Sequence, residues 1–298
     1  MKLPSSILIT EVGPRDGLQN EPETIPVDDK VAFIDCLSVS GLKEIEVTAC
    51  VSPKWVPQLA DASEVLNRIQ RHPDVAYSVL VPNLEGWQRA SDGGVDKIAV
   101  FTAASEQFSQ HNTNASIAET LKRFEPVIAA AHSASCPVRA YVSCVVACPY
   151  EGRIRPAQVM SVVDGLLAIG VDQIDLGDTI GQATPEDMDA LINVIGERVP
   201  VGALVFHLHD TSGQALDCCL RAMQLGARRF DTSCGGLGGC PYAPGASGNL
   251  ATGDLLDLCE AQGIETGVDQ AALHEAAVGI ETVLGRSLTD RAHHKDDE

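Results

Sequence analysis

Short apolar, β-branched runs recur along this chain with helical stretches between them, and that alternation constrains its fold more than any other feature. The strand candidates are Ile7–Val12, Glu44–Thr48, Ala76–Val81, Lys97–Ala103, Val138–Cys144, Gln173–Asp178, Leu204–Asp210 and Arg229–Cys234. Helical patterns fill the gaps over Val27–Val39, Asp61–Arg71, Leu84–Asp92, Ala115–Ser133, Pro156–Ile169, Pro185–Arg198, Gly213–Leu225 and Leu250–Gln262. A further helix is predicted over Gln270–Leu284. Pro156 and Pro185 sit where a first helical turn tolerates proline, the latter behind Thr184 as N-cap. Gly170 and Gly226 follow their helices as C-cap residues should.

Strand–helix units repeated through 298 residues predict one closed (β/α)8 TIM barrel with an extra C-terminal helix. The barrel domain is expected over residues 1–290, followed by an acidic tail at 291–298. No linker-like tract divides the chain. An open doubly wound sheet usually carries a glycine-rich phosphate turn after its first strand, and Val12-Gly13-Pro14-Arg15 is not one.

A formal net charge of −20 argues against nucleic-acid and anionic-membrane partners, since both demand basic patches. An anionic substrate then needs a local positive cluster or a metal. No apolar stretch approaches a membrane span. Ten scattered cysteines and no leader-like segment predict reduced thiols in a cytoplasmic setting.

Barrel enzymes carry their chemistry at the C-terminal ends of strands. Strand 7 reads Val205-Phe206-His207-Leu208-His209-Asp210, and period-two alternation puts His207 and His209 on one face. Two neutral imidazoles there are good ligands for a divalent metal, while one structural and one exposed histidine is the plainer reading. Asp16, just past strand 1, and Asn249, after strand 8, supply hard oxygens at the same rim once the barrel closes. Two nitrogens, a carboxylate and an amide oxygen suit Mg²⁺ or Mn²⁺ better than zinc, and no organic cofactor is expected.

Arg15 neighbours the proposed ligand and is read either as a structural ion pair or as an enolate-stabilising cation. Alternation on strand 2 turns Glu44, Glu46 and Thr48 inward, and a buried carboxylate needs a partner, so Glu46 is paired with Arg15. The run Gly235-Gly236-Leu237-Gly238-Gly239-Cys240 forms a pliant loop that brings a thiol near the site. Cys36, Cys218 and Cys219 read as inert residues of helices. Asp175 and Asp178, at the rim end of strand 6, either order a site residue or cap a helix.

Three segments are more specific than any of these short patterns. They are Val12-Gly13-Pro14-Arg15-Asp16-Gly17-Leu18-Gln19-Asn20, Val51-Ser52-Pro53-Lys54-Trp55-Val56-Pro57 and Gly236-Leu237-Gly238-Gly239-Cys240-Pro241-Tyr242. With Tyr141-Val142-Ser143-Cys144, Cys148-Pro149-Tyr150-Glu151-Gly152 and Leu176-Gly177-Asp178-Thr179-Ile180-Gly181, the chain resembles the 3-hydroxy-3-methylglutaryl-CoA lyase family over nearly its whole length. The resemblance implies a TIM barrel that cleaves hydroxymethylglutaryl-CoA to acetyl-CoA and acetoacetate with a divalent metal. It implies metal ligands at Asp16, His207, His209 and Asn249, an enolate-stabilising Arg15, and catalytic roles for Cys240, Glu46, Asp178, Asp16 and His207. His207 is the implied acid, and Cys240 or Asp16 the implied base.

Gln19, Thr48 and Asp175 join Arg15 as expected substrate contacts. Ala49-Cys50, Thr102, Asp175 and Cys234-Gly235 depart from the expected pattern, which predicts the same reaction on hydroxymethylglutaryl-CoA or a closely related acyl-CoA. A homo-oligomer, dimer or tetramer, is expected, with acyl-CoA as the small-molecule partner. The rivals are a Claisen-condensing acyltransferase resembling isopropylmalate synthase and a non-catalytic acyl-CoA-binding protein.

Overall fold

The computed structural model describes residues 3–238 and 248–288. Its strands are β1 (Leu8–Glu11), β2 (Glu44–Ala49), β3 (Ala76–Leu80), β4 (Lys97–Ala103), β5 (Val138–Ser143), β6 (Gln173–Asp178), β7 (Val205–Leu208) and β8 (Arg229–Thr232). All pairings among them are parallel, and β1 closes the barrel by pairing with both β2 and β8. The helices are α1 (Val27–Ser38), α2 (Ala62–Arg68), α3 (Leu84–Asp92), α4 (Glu106–Thr113), α5 (Ile117–Ser133), α6 (Pro156–Ala168), α7 (Pro185–Ile195), α8 (Ala215–Gln224), α9 (Thr252–Gln262) and α10 (Gln270–Leu284). The closed eight-strand barrel is the architecture the alternating pattern predicts.

Period-two alternation explains how the strands bury two different faces. Ile9, Ile45, Val79, Ile98, Val100, Ala140, Ile174, Leu176, Phe206 and Phe230 pack outward into one continuous core under the helices. The positions between them turn inward and are largely polar: Glu46, Arg139, Asp175, His207 and Asp231 are all buried. A barrel interior filled with charge rather than branched aliphatics needs every group paired, and this interior reads as a site rather than a plug. At the N-terminal rim Glu44 pairs with Lys97 (2.9 Å).

Helix starts follow the expected chemistry. Thr184 Oγ1 accepts from the Asp187 amide (3.3 Å), and the Asp187 carboxylate accepts in return from the Thr184 amide (3.0 Å), ahead of Pro185. Gly170 and Gly226 adopt φ of +94° and +107° just beyond their helices.

Four details differ from the pattern reading. Helix α4 is additional, because Glu106–Thr113 has no apolar stripe; caps hold it instead. Ser105 Oγ accepts from the Phe108 amide (3.0 Å) and Glu151 accepts from the Gln107 amide (2.8 Å). A two-residue antiparallel hairpin, Ala147–Cys148 with Gly152–Arg153, follows β5. The ladder of β7 ends at Leu208 rather than Asp210, since His209 bridges antiparallel to Asn249 instead. A bulge in β2 shifts the pairing between Glu46 and Thr48, so alternation breaks there. The predicted acidic tail lies outside the described residues.

Candidate active site

A wide turn over Gly13–Gly17 follows β1, and its amides from Arg15, Asp16 and Gly17 converge on the Val12 carbonyl (3.1, 2.7 and 3.3 Å). Close approach explains its glycines. A Cβ at Gly13 would lie 2.6 Å from Glu11 Oε1, and one at Gly17 would lie 2.7 Å from Leu237 Cβ. The turn carries Arg15 and Asp16 to the wall of a cavity of about 770 Å³ at the barrel mouth.

Arg15 Nε donates to Glu46 Oε1 and Nη1 to Asp16 Oδ1. Burial alone would lower the guanidinium pKa; Glu46 and Asp16 outweigh it and raise the value. Tyr141 supports the pair from below, its hydroxyl donating to Glu46 Oε2 (3.1 Å) and its ring lying 5.2 Å from the Arg15 guanidinium. Gln19 Nε2 donates to Asp16 Oδ1 (2.8 Å), and Asn249 Nδ2 to Asp16 Oδ2 (2.9 Å). Burial opposes the ionisation of Asp16, but Arg15, His207 and His209 bring its pKa down to about 2.

His207 and His209 both line the cavity, with Nε2 atoms 3.2 Å apart. His207 Nδ1 stands 3.3 Å from Asp231 Oδ2, which fixes that nitrogen as the N–H and leaves Nε2 as a lone pair on the neutral ring. Burial lowers the His207 pKa, but the Asp231 bond and the charges of Asp16 and Asp231 raise it overall. Burial and the neighbouring His207 push His209 down to about 3, so it is neutral at pH 7. Ligand atoms of Asp16, His207 and His209 lie within 4.8 Å of one another, the spacing one cation spans.

The fourth predicted ligand arrives by an unforeseen route. Residues 248–250 run antiparallel across the end of β7, with Leu250 N donating to Leu208 O (3.1 Å) and Asp210 N to Gly248 O (2.8 Å). That crossing seats Asn249 beside both His209 and Asp16. Its Oδ1 is buried with no hydrogen-bond partner among the described residues, as is His209 Nδ1. Two imidazoles, an ionised carboxylate and an unsatisfied amide oxygen form a donor set that fits a hard divalent cation.

Other expected residues fall elsewhere. Asp175 sits beneath the cavity and is not among its lining residues; it and Asp231 both bind Arg139 Nη2. Burial pushes Asp175 up, whereas for Asp231 burial is outweighed by Arg139 and His207 and the carboxyl is held below its usual range. Asp178 accepts from the Ala183 amide (2.8 Å), and burial pushes its pKa up to about 6. It too lies outside the cavity lining. The β2 bulge gives the lining position to Ala49, while Thr48 pairs with Val79 and its hydroxyl is buried without a partner among the described residues. Cys240 lies outside the described residues.

Arg139, Tyr141 and Asp231 escaped the sequence reading. The signal was present: Val138-Arg139-Ala140-Tyr141-Val142 alternates, and polar residues between apolar ones on barrel strands point inward.

The HMGL-like family profile matches residues 6–280. The chain is 51% identical over 288 residues to the mitochondrial hydroxymethylglutaryl-CoA lyase of Bos taurus, covering 97% of this chain and 89% of that one. It is 50% identical over 290 residues to the cytoplasmic 3-hydroxy-3-methylglutaryl-CoA lyase of Danio rerio, with coverage of 97% and 87%. A solved structure of an HMG-CoA lyase from Acinetobacter baumannii, in complex with coenzyme A and 3-methylmalate, superposes with a TM-score of 0.93 at 36% identity, covering 99% of this chain and 97% of that one. With its closed barrel, its paired histidines and this similarity along nearly its full length, the chain belongs to the HMGL-like family of hydroxymethylglutaryl-CoA lyases.

Proposed function

We propose that this protein is a divalent-metal-dependent carbon–carbon lyase that cleaves 3-hydroxy-3-methylglutaryl-CoA to acetyl-CoA and acetoacetate. One observation carries the reading: Arg15, a buried and braced cation, stands directly beside the convergent set of Asp16, His207 and His209. Relatives at about half identity bear that activity in their names, and one solved relative holds coenzyme A.

The geometry of the described residues supports the roles of Arg15, Asp16, Gln19, Glu46, His207, His209 and Asn249. Asp16, His207, His209 and Asn249 would hold Mg²⁺ or Mn²⁺, which when bound supplies Lewis acidity toward the substrate's hydroxyl and carboxylate oxygens. The C3 hydroxyl loses its proton, the C2–C3 bond breaks, C3 becomes the ketone of acetoacetate, and the bonding pair passes to C2 as the acetyl-CoA enolate. Glu46 and Asp16 occupy Nε and Nη1 of Arg15, which leaves the Nη2 donors for the enolate oxygen. Gln19 lines the cavity and orients Asp16.

His207 divides its nitrogens between Asp231 and the metal position. We therefore assign it to the metal rather than to protonation of the enolate. Asp16, so acidic, is a poor base. With those two set aside, Cys240, named by the family resemblance, is assigned both ends of the proton transfer, from the C3 hydroxyl and back to C2. Acetyl-CoA and acetoacetate formed from hydroxymethylglutaryl-CoA with Mg²⁺, and lost with chelator, are the expected products by mass spectrometry. Cleavage of no 3-hydroxyacyl-CoA under those conditions would remove the reading.

A further inference from the structure

Glu11, the last residue of β1, is fully buried and has no role in the chemistry above. Its Oε1 accepts from the amides of Gly13 (2.8 Å) and Cys234 (2.7 Å), and its Oε2 accepts from the Thr252 hydroxyl (2.7 Å). Those donors belong to three segments that all reach the metal position. Gly13 opens the turn bearing Arg15 and Asp16. Cys234 begins the short turn that leads to Leu237, whose carbonyl accepts from Asn249 Nδ2 (3.1 Å). Thr252 starts α9 just after Asn249, and its hydroxyl also meets Thr232 of β8 (2.8 Å).

The carboxylate fills the space that glycine leaves at position 13, where a Cβ would meet Glu11 Oε1 at 2.6 Å. One side chain thus links β1, the approach to the glycine-rich loop, and the start of the last barrel helix. We infer that Glu11 is a positioning residue that sets the spacing between Asp16 and Asn249 and thereby the affinity of the site for a divalent cation. The inference rests on the metal reading above. Removing the carboxylate strips an acceptor from two buried amides, so the segments carrying the two ligands lose their common anchor. Groups that bond metal ligands directly are worth about 10–100-fold in metal affinity, and Glu11, which holds the segments carrying two ligands, is expected at the lower end of that range.

The test is a Mn²⁺ titration of the whole protein, with free ion read by electron paramagnetic resonance, on wild type, E11A, E11Q and G13A, with thermal melts alongside. E11A and G13A are expected to bind Mn²⁺ about 10-fold more weakly. E11Q is expected to stay close to wild type, because Gln keeps an oxygen for both amides and its Nε2 donates to Thr252, which turns to donate to Thr232. Lower melting temperatures with unchanged Mn²⁺ affinity in E11A and G13A would overturn the inference and leave Glu11 a purely structural residue. Loss in E11Q equal to that in E11A would overturn it too. If E11A does not fold, G13A and T252V carry the same readout. Wild type that binds no Mn²⁺ would instead sink the metal reading itself, a distinguishable result.

Discussion

Arg15 is where a single side chain has the greatest expected effect. Substitution by Gln removes the fixed charge proposed to face the developing enolate, and kcat should fall roughly 10²–10³-fold, with KM changed much less. A fall in kcat/KM caused wholly by KM would assign Arg15 to substrate binding alone. Arg139 has a structural role of similar weight, because it holds Asp175 and Asp231 deep in the barrel. Arg139→Met should destabilise the fold by roughly 3–5 kcal/mol by leaving a buried carboxylate pair uncompensated, seen as a lower urea midpoint.

Glu11 adds a pH signature. Burial, against the opposing hydrogen bonds from Thr252, Cys234 and Gly13, pushes its pKa up to about 7 from an ordinary value of 4.5. As pH rises between those two values the unfolded chain releases the proton first, so the native state binds more protons and stability falls across that window. The loss is at most roughly 3 kcal/mol, fully present above the native value, and absent below the unfolded one. E11Q should flatten this part of a denaturation-versus-pH curve; an unchanged slope would place the titration elsewhere.

At the scale of elements, the decisive pieces are irregular ones. The Gly13–Gly17 turn, the β2 bulge and the 248–250 crossing place side chains that the regular strands alone could not. Gly17→Ala would drive a methyl into Leu237 at 2.7 Å and displace the turn. Activity should therefore fall along with the melting temperature, since Asp16 precedes that glycine. Loss of stability with full activity would show that the turn repairs itself. Regular elements were the legible ones: strand and helix patterns repeat every few residues, so their signal accumulates within a short window. Helix α4 lacked that signal because Phe108 and Ser109 are its only buried side chains among the described residues, and a cap is a local bond rather than a periodicity.

For the whole molecule, metal occupancy and folding should be linked. A cation bound only by the native state stabilises it by about 2.7 kcal/mol at a hundred times its dissociation constant, so Mn²⁺ should raise the melting temperature and chelator should reverse the shift. D231N, which weakens the bond orienting His207, should reduce that shift; an undiminished shift would show that His207 needs no such partner.

The sequence alone determined that the chain forms strand–helix units, that His207 and His209 share a face, and that Glu46 turns inward. Each of those is local geometry, written in neighbours a few residues apart. Only the tertiary structure decided which buried groups bond to one another, because Arg139 and Asp231 are 92 positions apart and Thr252 and Glu11 are 241 apart. It also decided that Asp175 belongs to Arg139 instead of the cavity, and that Ala49 takes the place expected of Thr48. Barrel closure sets which layer a side chain occupies, and one bulge reverses a face; neither is a property of any stretch short enough to carry a pattern.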